Sequence, residues 1–569
     1  MKLTGFLFAA ALLGTCTQPA AEENYTRHVD PKIGTGGHGH VFVGANVPFG
    51  LVQVGPTSIP QTWDWCSDYH ASDSTVIGFS HTHLSGTGIG DLFDVTVMPV
   101  TGEVTYARGT EDDPTSGLWS YADRTQEIAR PGYYSVPLTR YGIRAELTAT
   151  ARVGLHRYTF PASDAAAVVF DLENGGCWDK ATETHLAKEG DRTVTGWRHS
   201  TGWAKDQRVY FVAEFSKPFE KFETIGDNYA RASFRTTDGE QVSLKVALSP
   251  VSVEGARENL AAELPGWDFE ETAKAADKAW NDELSKVKIE TADETARRIF
   301  YTALYHTMIA PSLFCDVNGD YYGSDHAIHR NAGFTNYTTF SLWDTYRAAM
   351  PLMTVLHPEK MADIVQTMLH IADEQGRLPV WHLWGNETDC MVGNPGIVAV
   401  ADAIVKGIGG FDREKAFEAI RKTAMNPDRG NGLRMEYGYI PCEMFNEAVA
   451  YDMEYALADG AAARAAETLG KAEDAKYFEE RSHSYRNYFD PQTGFMRGRD
   501  SKKGWRTPFN AFASTHRADD YCEGNAWQYT WLAPHDVKGL EGLFGSRAKM
   551  IEKLDSLFTV SSVIEGGET

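Results

Sequence analysis

No two of the seven cysteines stand in CxxC spacing, which excludes a zinc ribbon or a thioredoxin-type redox site. Beyond Cys16 they fall singly at 66, 177, 315, 390, 442 and 522. Such spacing gives no connectivity, so disulfides and buried free thiols both stay open. Lysine and arginine form no cluster, and the formal net charge is −24. A nucleic-acid partner, which calls for a basic stripe, is therefore not expected. Proline is sparse, at 23 residues, and no polar or Pro-rich tract marks disorder. No internal repeat is found. The run Gly34-Thr35-Gly36-Gly37-His38-Gly39-His40 has no GK[ST] after it and opens no βαβ unit, so it reads as a tight interdomain loop and not as a phosphate cradle.

What is present is a globular composition, 42% hydrophobic and 23% charged with 14 Trp, on a chain of 569 residues, too long for one core. Residues 1–23 carry Lys2, an apolar run from Phe6 to Leu13, and small residues up to Cys16. This is the pattern of an export signal, and its apolar run is too short to span a bilayer. Leu13-Gly14-Thr15-Cys16 also resembles a lipoprotein signal, which would put a lipid anchor on Cys16. Soluble cleavage near Ala20-Ala21 stays open beside it. Either way the expected location is the periplasm or the cell surface.

From Asn24 to about Pro265, β-type runs such as Tyr133-Val136, Leu155-Tyr158, Ala167-Phe170 and Val242-Leu248 alternate with Gly, Asp and Asn turns. This spacing predicts a large antiparallel β-sandwich over 24–265. Residues 266–290 are charged and read as a linker helix. From 291 to 569 the apolar period is helical: Met361, Ile364, Met368 and Ile371 share one face, and Ile397, Val400, Ala401, Ile404 and Ile408 another. Helices separated by loops as long as 315–340 and 380–395 predict an (α/α)6 toroid with its cleft built from loops. Fewer helices are recognisable than a closed toroid holds. Early inner faces, at Tyr301, Leu304 and Met308, are therefore expected to lack partners.

Titratable and aromatic side chains gather in loops, where binding groups usually sit. Trp63 and Asp64 offer a stacking platform with a hydrogen-bonding edge. His81 and His83 share one strand face, placed for hydrogen bonding in the cleft or for chelation. Trp343 and Asp344, with Trp384, Asn386 and Glu387, set carboxylates beside indoles, a pairing that grips sugar hydroxyls. The plain alternative makes Asp344 a helix cap and pairs Glu387 with Arg347. Glu523 stands among aromatics, where desolvation would keep it protonated to higher pH, as a general acid requires. Asn525 and Gln528 beside it are further candidate sugar contacts.

Four segments now stand in order: Val29–His40, Gly78–Gly86, Gly385-Asn386-Glu387-Thr388 and Glu523-Gly524-Asn525-Ala526-Trp527-Gln528-Tyr529. Together they resemble glycoside hydrolase family 92 over essentially the whole chain after the leader. The resemblance implies a β-sandwich joined to an (α/α)6 barrel. It also implies an exo-acting, Ca2+-dependent, inverting α-mannosidase that removes terminal mannose from glycans such as N-glycans or mannans. It makes Glu523 the general acid and puts Trp63, Trp343 and Asp344 around the terminal mannose. It further implies that the base and the calcium ligands lie beyond Thr569. Inversion needs one protonated and one ionised carboxyl about 6.5–9.5 Å apart, and Glu523 alone cannot be both. A second class of function is a non-catalytic, surface glycan-binding lipoprotein that keeps the aromatic cleft. A third, a lyase on a similar toroid, would prefer a basic cleft and fits the acidic balance less well.

Overall fold

The computed structural model describes residues 23–59, 62–113 and 115–561. The leader and Cys16 lie outside the described residues. Two antiparallel sheets form the N-terminal half. The eight-stranded sheet runs Lys180–Glu189, Thr193–Thr201, Gln207–Phe215, Glu240–Ser249, Val153–Phe160, Ile143–Ala149, Tyr133–Leu138 and Ile128–Arg130 in spatial order. The six-stranded sheet runs Gly55–Thr57, Gly78–Ser80, Thr96–Thr101, Ser163–Asp171, Tyr229–Thr236 and Lys221–Ile225.

Strand alternation explains the layering. Along Glu240–Ser249, Val242, Leu244, Val246 and Leu248 point into the space between the sheets, whereas Ala247 faces outward. Phe170 of one sheet meets Phe211 of the other with ring centroids 6.1 Å apart. The outward face is covered by helix Val253–Glu263, capped by Ser252, whose Ala256 and Leu260 pack on Val153, Leu155 and Val212. Arg198 is fully buried in the sandwich, with Asp94 and Asp179 each 2.6 Å away.

The second half is helical. Asp268, Asp293 and Asp412 cap the helices Phe269–Leu284, Glu294–His306 and Arg413–Met425 through side-chain oxygens. Helix Ala448–Thr468 is buried along most of its length, and its alanines let neighbouring helices approach closely. The expected bare inner face is corrected here. Tyr301, Leu304 and Met308 are 1%, 6% and 0% exposed, covered by Tyr25, Val29, Phe42 and Phe49 of the N-terminal half and by Trp280 of the linker helix. Among the described residues no helix is long and apolar enough to cross a membrane.

Loops of the helical half plug the sandwich. Phe314, Tyr322, Trp381, Leu383 and Trp384 share one apolar cluster with sheet residues. Gln53 Nε2 donates to the Ile309 carbonyl at 2.9 Å, and Trp280 Nε1 to the Asn46 carbonyl at 2.8 Å. Buried Asp316 accepts from Ser249 Oγ and Asn259 Nδ2, each at 2.8 Å, and burial pushes its pKa up to about 6.

Candidate active site

Glu523 is set by the chain that follows it. Asn525 caps the short helix Ala526–Tyr529: its side chain accepts from the Trp527 N–H at 3.0 Å, while Gln528 Oε1 accepts from the Asn525 N–H at 2.8 Å. This is a reciprocal capping box. Tyr529 Oη donates to the Cys522 carbonyl at 2.7 Å. Held from both sides, Glu523 sits in the left-handed backbone region at φ 47°, a conformation non-glycine residues adopt only when their surroundings impose it. Its side chain remains open to solvent. The protein on its inner side desolvates the carboxyl and raises its pKa, and the Asp344 charge raises it further, opposed by His516 and Arg517.

Asp344 lies on the first turn after Ser341, whose Oγ donates to it at 2.5 Å. The neighbouring side chains converge on Glu454, a buried residue of helix Ala448–Thr468 with no evident role in the sequence patterns. Glu454 accepts from Trp343 Nε1 at 2.9 Å, Tyr346 Oη at 2.8 Å and an Arg347 guanidinium N–H at 2.6 Å. Arg347 therefore pairs with Glu454 and not with Glu387. Burial raises the pKa of Glu454, and Arg347 opposes that shift. A signal was present, since Asp452, Glu454 and Asp459 are acidic positions within the mostly apolar stretch 448–463. Glu447 caps that helix in a left-handed conformation at φ 55°. Its buried Oε1 has no hydrogen-bond partner, and burial raises its pKa.

Because Asp344 helps hold Glu523 above the normal carboxyl range, Asp344→Asn is expected to lower the Glu523 pKa. A reaction needing protonated Glu523 would then lose its rate at lower pH. The alkaline limb of kcat/KM should move to lower pH in the variant, and a limb that stays in place would show that Asp344 does not act on Glu523.

A second group stands on the sandwich. Trp63 is 49% exposed, its Nε1 donating to the Gly88 carbonyl at 2.8 Å, with the His40 ring 4.2 Å away and edge-on. Asp64 Oδ1 lies 2.5 Å from His38 Nδ1. The glycine loop thus folds against this pair inside the sandwich, and Gly39 is required because any Cβ there would meet the Gly34 carbonyl oxygen at 1.8 Å. Among the described residues no hydrogen bond or ion pair joins this group to Glu523.

Several candidate contacts are spoken for elsewhere. His81 is 0% exposed: its Nδ1 faces the Val95 carbonyl at 2.6 Å and its Nε2 faces His156 Nε2 at 2.9 Å, whose Nδ1 accepts from Tyr158 Oη at 2.8 Å. These bonds place neutral imidazoles in the core, and burial pushes the His81 pKa down to about 3. His83, 4% exposed, meets the Gln53 carbonyl, Ser80 Oγ and Asp68. Trp384 is 2% exposed and packs on Phe314. Asn386 spends its whole amide on Asp206 N, Asp206 O and Trp384 O, clamping the two halves together. Glu387 accepts the backbone N–H groups of Val380, Trp381 and Asp389. The last three therefore order the loop that seals the interface. The six described cysteines are all free thiols.

A β-sandwich sealed against a helical domain, with a carboxyl of raised pKa on an aromatic-lined loop face, has the make-up of a glycoside hydrolase. Family models agree: the glycosyl hydrolase family 92 N-terminal domain matches residues 28–249 and the family 92 catalytic domain residues 255–567. The chain belongs to glycosyl hydrolase family 92. The structure is similar to that of a family 92 α-mannosidase from Bacteroides thetaiotaomicron in complex with mannoimidazole, at 39% identity and a TM-score of 0.91 over 95% of this chain and 74% of that one. It is also similar to a family 92 inverting mannosidase from Bacteroides thetaiotaomicron VPI-5482, at 30% identity and a TM-score of 0.84 over 94% and 74% of the two chains. An uncharacterized secreted glycosidase of Arthroderma benhamiae is 26% identical over 96% of this chain and 76% of its own length.

Proposed function

We propose that this hydrolase is an exo-acting α-mannosidase that removes terminal mannose from glycans with inversion, Glu523 being the general acid. The observation that carries the proposal is the Glu523 carboxyl itself, open to solvent yet pushed toward its protonated form by burial and by Asp344. A carboxyl kept protonated to higher pH than usual can give its proton to the departing glycosidic oxygen. Trp343, oriented through Glu454, and Asp344, held by Ser341, are proposed to hold the terminal sugar, and Trp63 with Asp64 to extend the contact from the sandwich. Asn525 and Gln528 are proposed as positioning residues for Glu523. The division of labour is a sandwich over 24–265, a linker helix over 266–290 and a catalytic domain from 291. The kinship with a secreted glycosidase supports export, to the periplasm or cell surface.

Calcium is proposed as the cofactor on the strength of the family resemblance. Among the described residues the one group of three converging donors is Asp325, His329 and Glu374, and its imidazole does not suit an ion that seeks oxygen ligands. Among the described residues no second such group is found, and the steps above involve only the chain's own side chains. Chelation with EGTA is expected to lower kcat/KM by at least about 10-fold, with recovery on adding Ca2+. Full activity in EGTA would remove calcium from the account.

The test of the function is hydrolysis of α-linked mannobiosides by the purified protein, followed by proton NMR of the first product. Release of β-mannose is expected. Release of α-mannose would contradict inversion, and turnover of other glycosides in preference to α-mannosides would contradict the substrate class.

A further inference from the structure

We propose that Asp325, His329 and Glu374 bind one borderline transition-metal ion, Zn2+ or a cation like it, at a site separate from Glu523 and independent of the hydrolase reaction. The hairpin Tyr321–Tyr322 with Ile328–His329 sets Tyr321 opposite His329, and the two rings stack at 4.8 Å and 11°. Glu374 comes from the last turn of helix Pro358–Gln375. His329 Nε2 lies 3.0 Å from Asp325 Oδ1 and 3.5 Å from Glu374 Oε1, and all three donor atoms fall within 4.8 Å of one another. Ligands around a tetrahedral ion with bonds of about 2.0–2.2 Å stand about 3.3 Å apart.

The surroundings fix these donors. Tyr321 Oη donates to Glu374 Oε1 and the Ser324 N–H to Oε2, each at 2.7 Å, and the Ala327 N–H donates to Asp325 Oδ1 at 3.0 Å. Such outer bonds are what orient ligating carboxylates. Gly323 leaves the space between them free: a Cβ there would stand 2.7 Å from both Asp325 Oδ1 and His329 Nε2.

Charge points the same way. The Glu374 side chain is 5% exposed, yet among the described residues no Lys or Arg bonds either carboxylate. Among the described residues their one basic neighbour is His329, itself a candidate ligand. The largely buried Glu374 carboxylate, with the exposed Asp325 beside it, thus has no fixed countercharge from Lys or Arg, which is costly unless a cation supplies it. The imidazole nitrogen selects zinc-like ions over Ca2+ or Mg2+.

The test is titration of the chelator-stripped full chain with Co2+, followed by visible absorption, and with Zn2+, followed by calorimetry. One equivalent is expected, with a nitrogen- and oxygen-type cobalt spectrum. His329→Ala and Glu374→Gln should abolish uptake, and Tyr321→Phe, which keeps the ring stack, should weaken it about 10-fold. Tyr321→Phe carries the test if either other variant fails to fold. No stoichiometric uptake, uptake unchanged in these variants, or a thiolate charge-transfer band would overturn the proposal and leave a plain histidine–carboxylate ion pair.

Discussion

Glu523→Gln is expected to lower kcat/KM on α-linked mannobiosides by about 10²- to 10⁴-fold, the usual contribution of a positioned general acid. Glutamine has nearly the same shape and leaves the capping box of Asn525 and Gln528 untouched, so the fold around it should persist. The proton alone is lost. An aryl mannoside with a very acidic leaving group departs without protonation and should be spared. Comparable loss on both substrates would point to a structural role for Glu523. The wild-type rate on mannobiosides should also fall as pH rises through the Glu523 pKa, because only the protonated carboxyl serves.

The second large effect is expected at Glu454. Removing it leaves Trp343 Nε1, Tyr346 Oη and Arg347 without their shared acceptor, and Glu454→Ala adds a cavity at a buried position of a largely buried helix. Breaking a buried charge pair from one side costs about 3–5 kcal/mol. Arg347 keeps a partly exposed side chain and can turn to water, which places the effect near the lower end, about 3 kcal/mol. Glu454→Gln retains an acceptor and should cost about 1–3 kcal/mol. The stability loss is read from the unfolding midpoint. As a positioning residue, Glu454 should also show in kinetics. Per folded molecule, the alanine variant should lose kcat through the loosened Trp343 and Asp344, with partial recovery in the glutamine variant. Reduced stability with unchanged kcat and KM would make Glu454 purely structural.

The architecture was largely legible because its signals are periodic. Apolar alternation marked the central strands, among them Tyr133–Leu138, Val153–Phe160 and Glu240–Ser249, and helical spacing marked Pro358–Gln375 and Pro395–Val405. The strands Lys180–Glu189 and Thr193–Thr201 escaped because one is an edge with mostly solvated side chains and the other its polar neighbour. At Glu523 the sequence expectation was a desolvated carboxyl among aromatics, and the structure gives it a raised pKa with desolvation as the first cause. Asn525 and Gln528 carried a capping-box pattern that also explains their spacing, and the structure favours that local use. Trp384, Asn386 and Glu387 form a dense polar and aromatic motif because they seal two domains. That demand depends on what the Asp206 loop does 180 residues away, and no local pattern reveals it. At Glu454 an acidic residue in an apolar stretch was visible but its role was not, because its three donors lie more than one hundred residues earlier in the chain.

The most direct test of Glu523 as the general acid is the dependence of kcat/KM on leaving-group acidity, measured with a series of aryl α-mannosides for the wild type and Glu523→Gln. The wild type should show a shallow dependence, since the enzyme supplies the proton. The variant should show a steep one, its deficit shrinking as the leaving group becomes more acidic. Parallel slopes with a constant deficit would contradict the assignment.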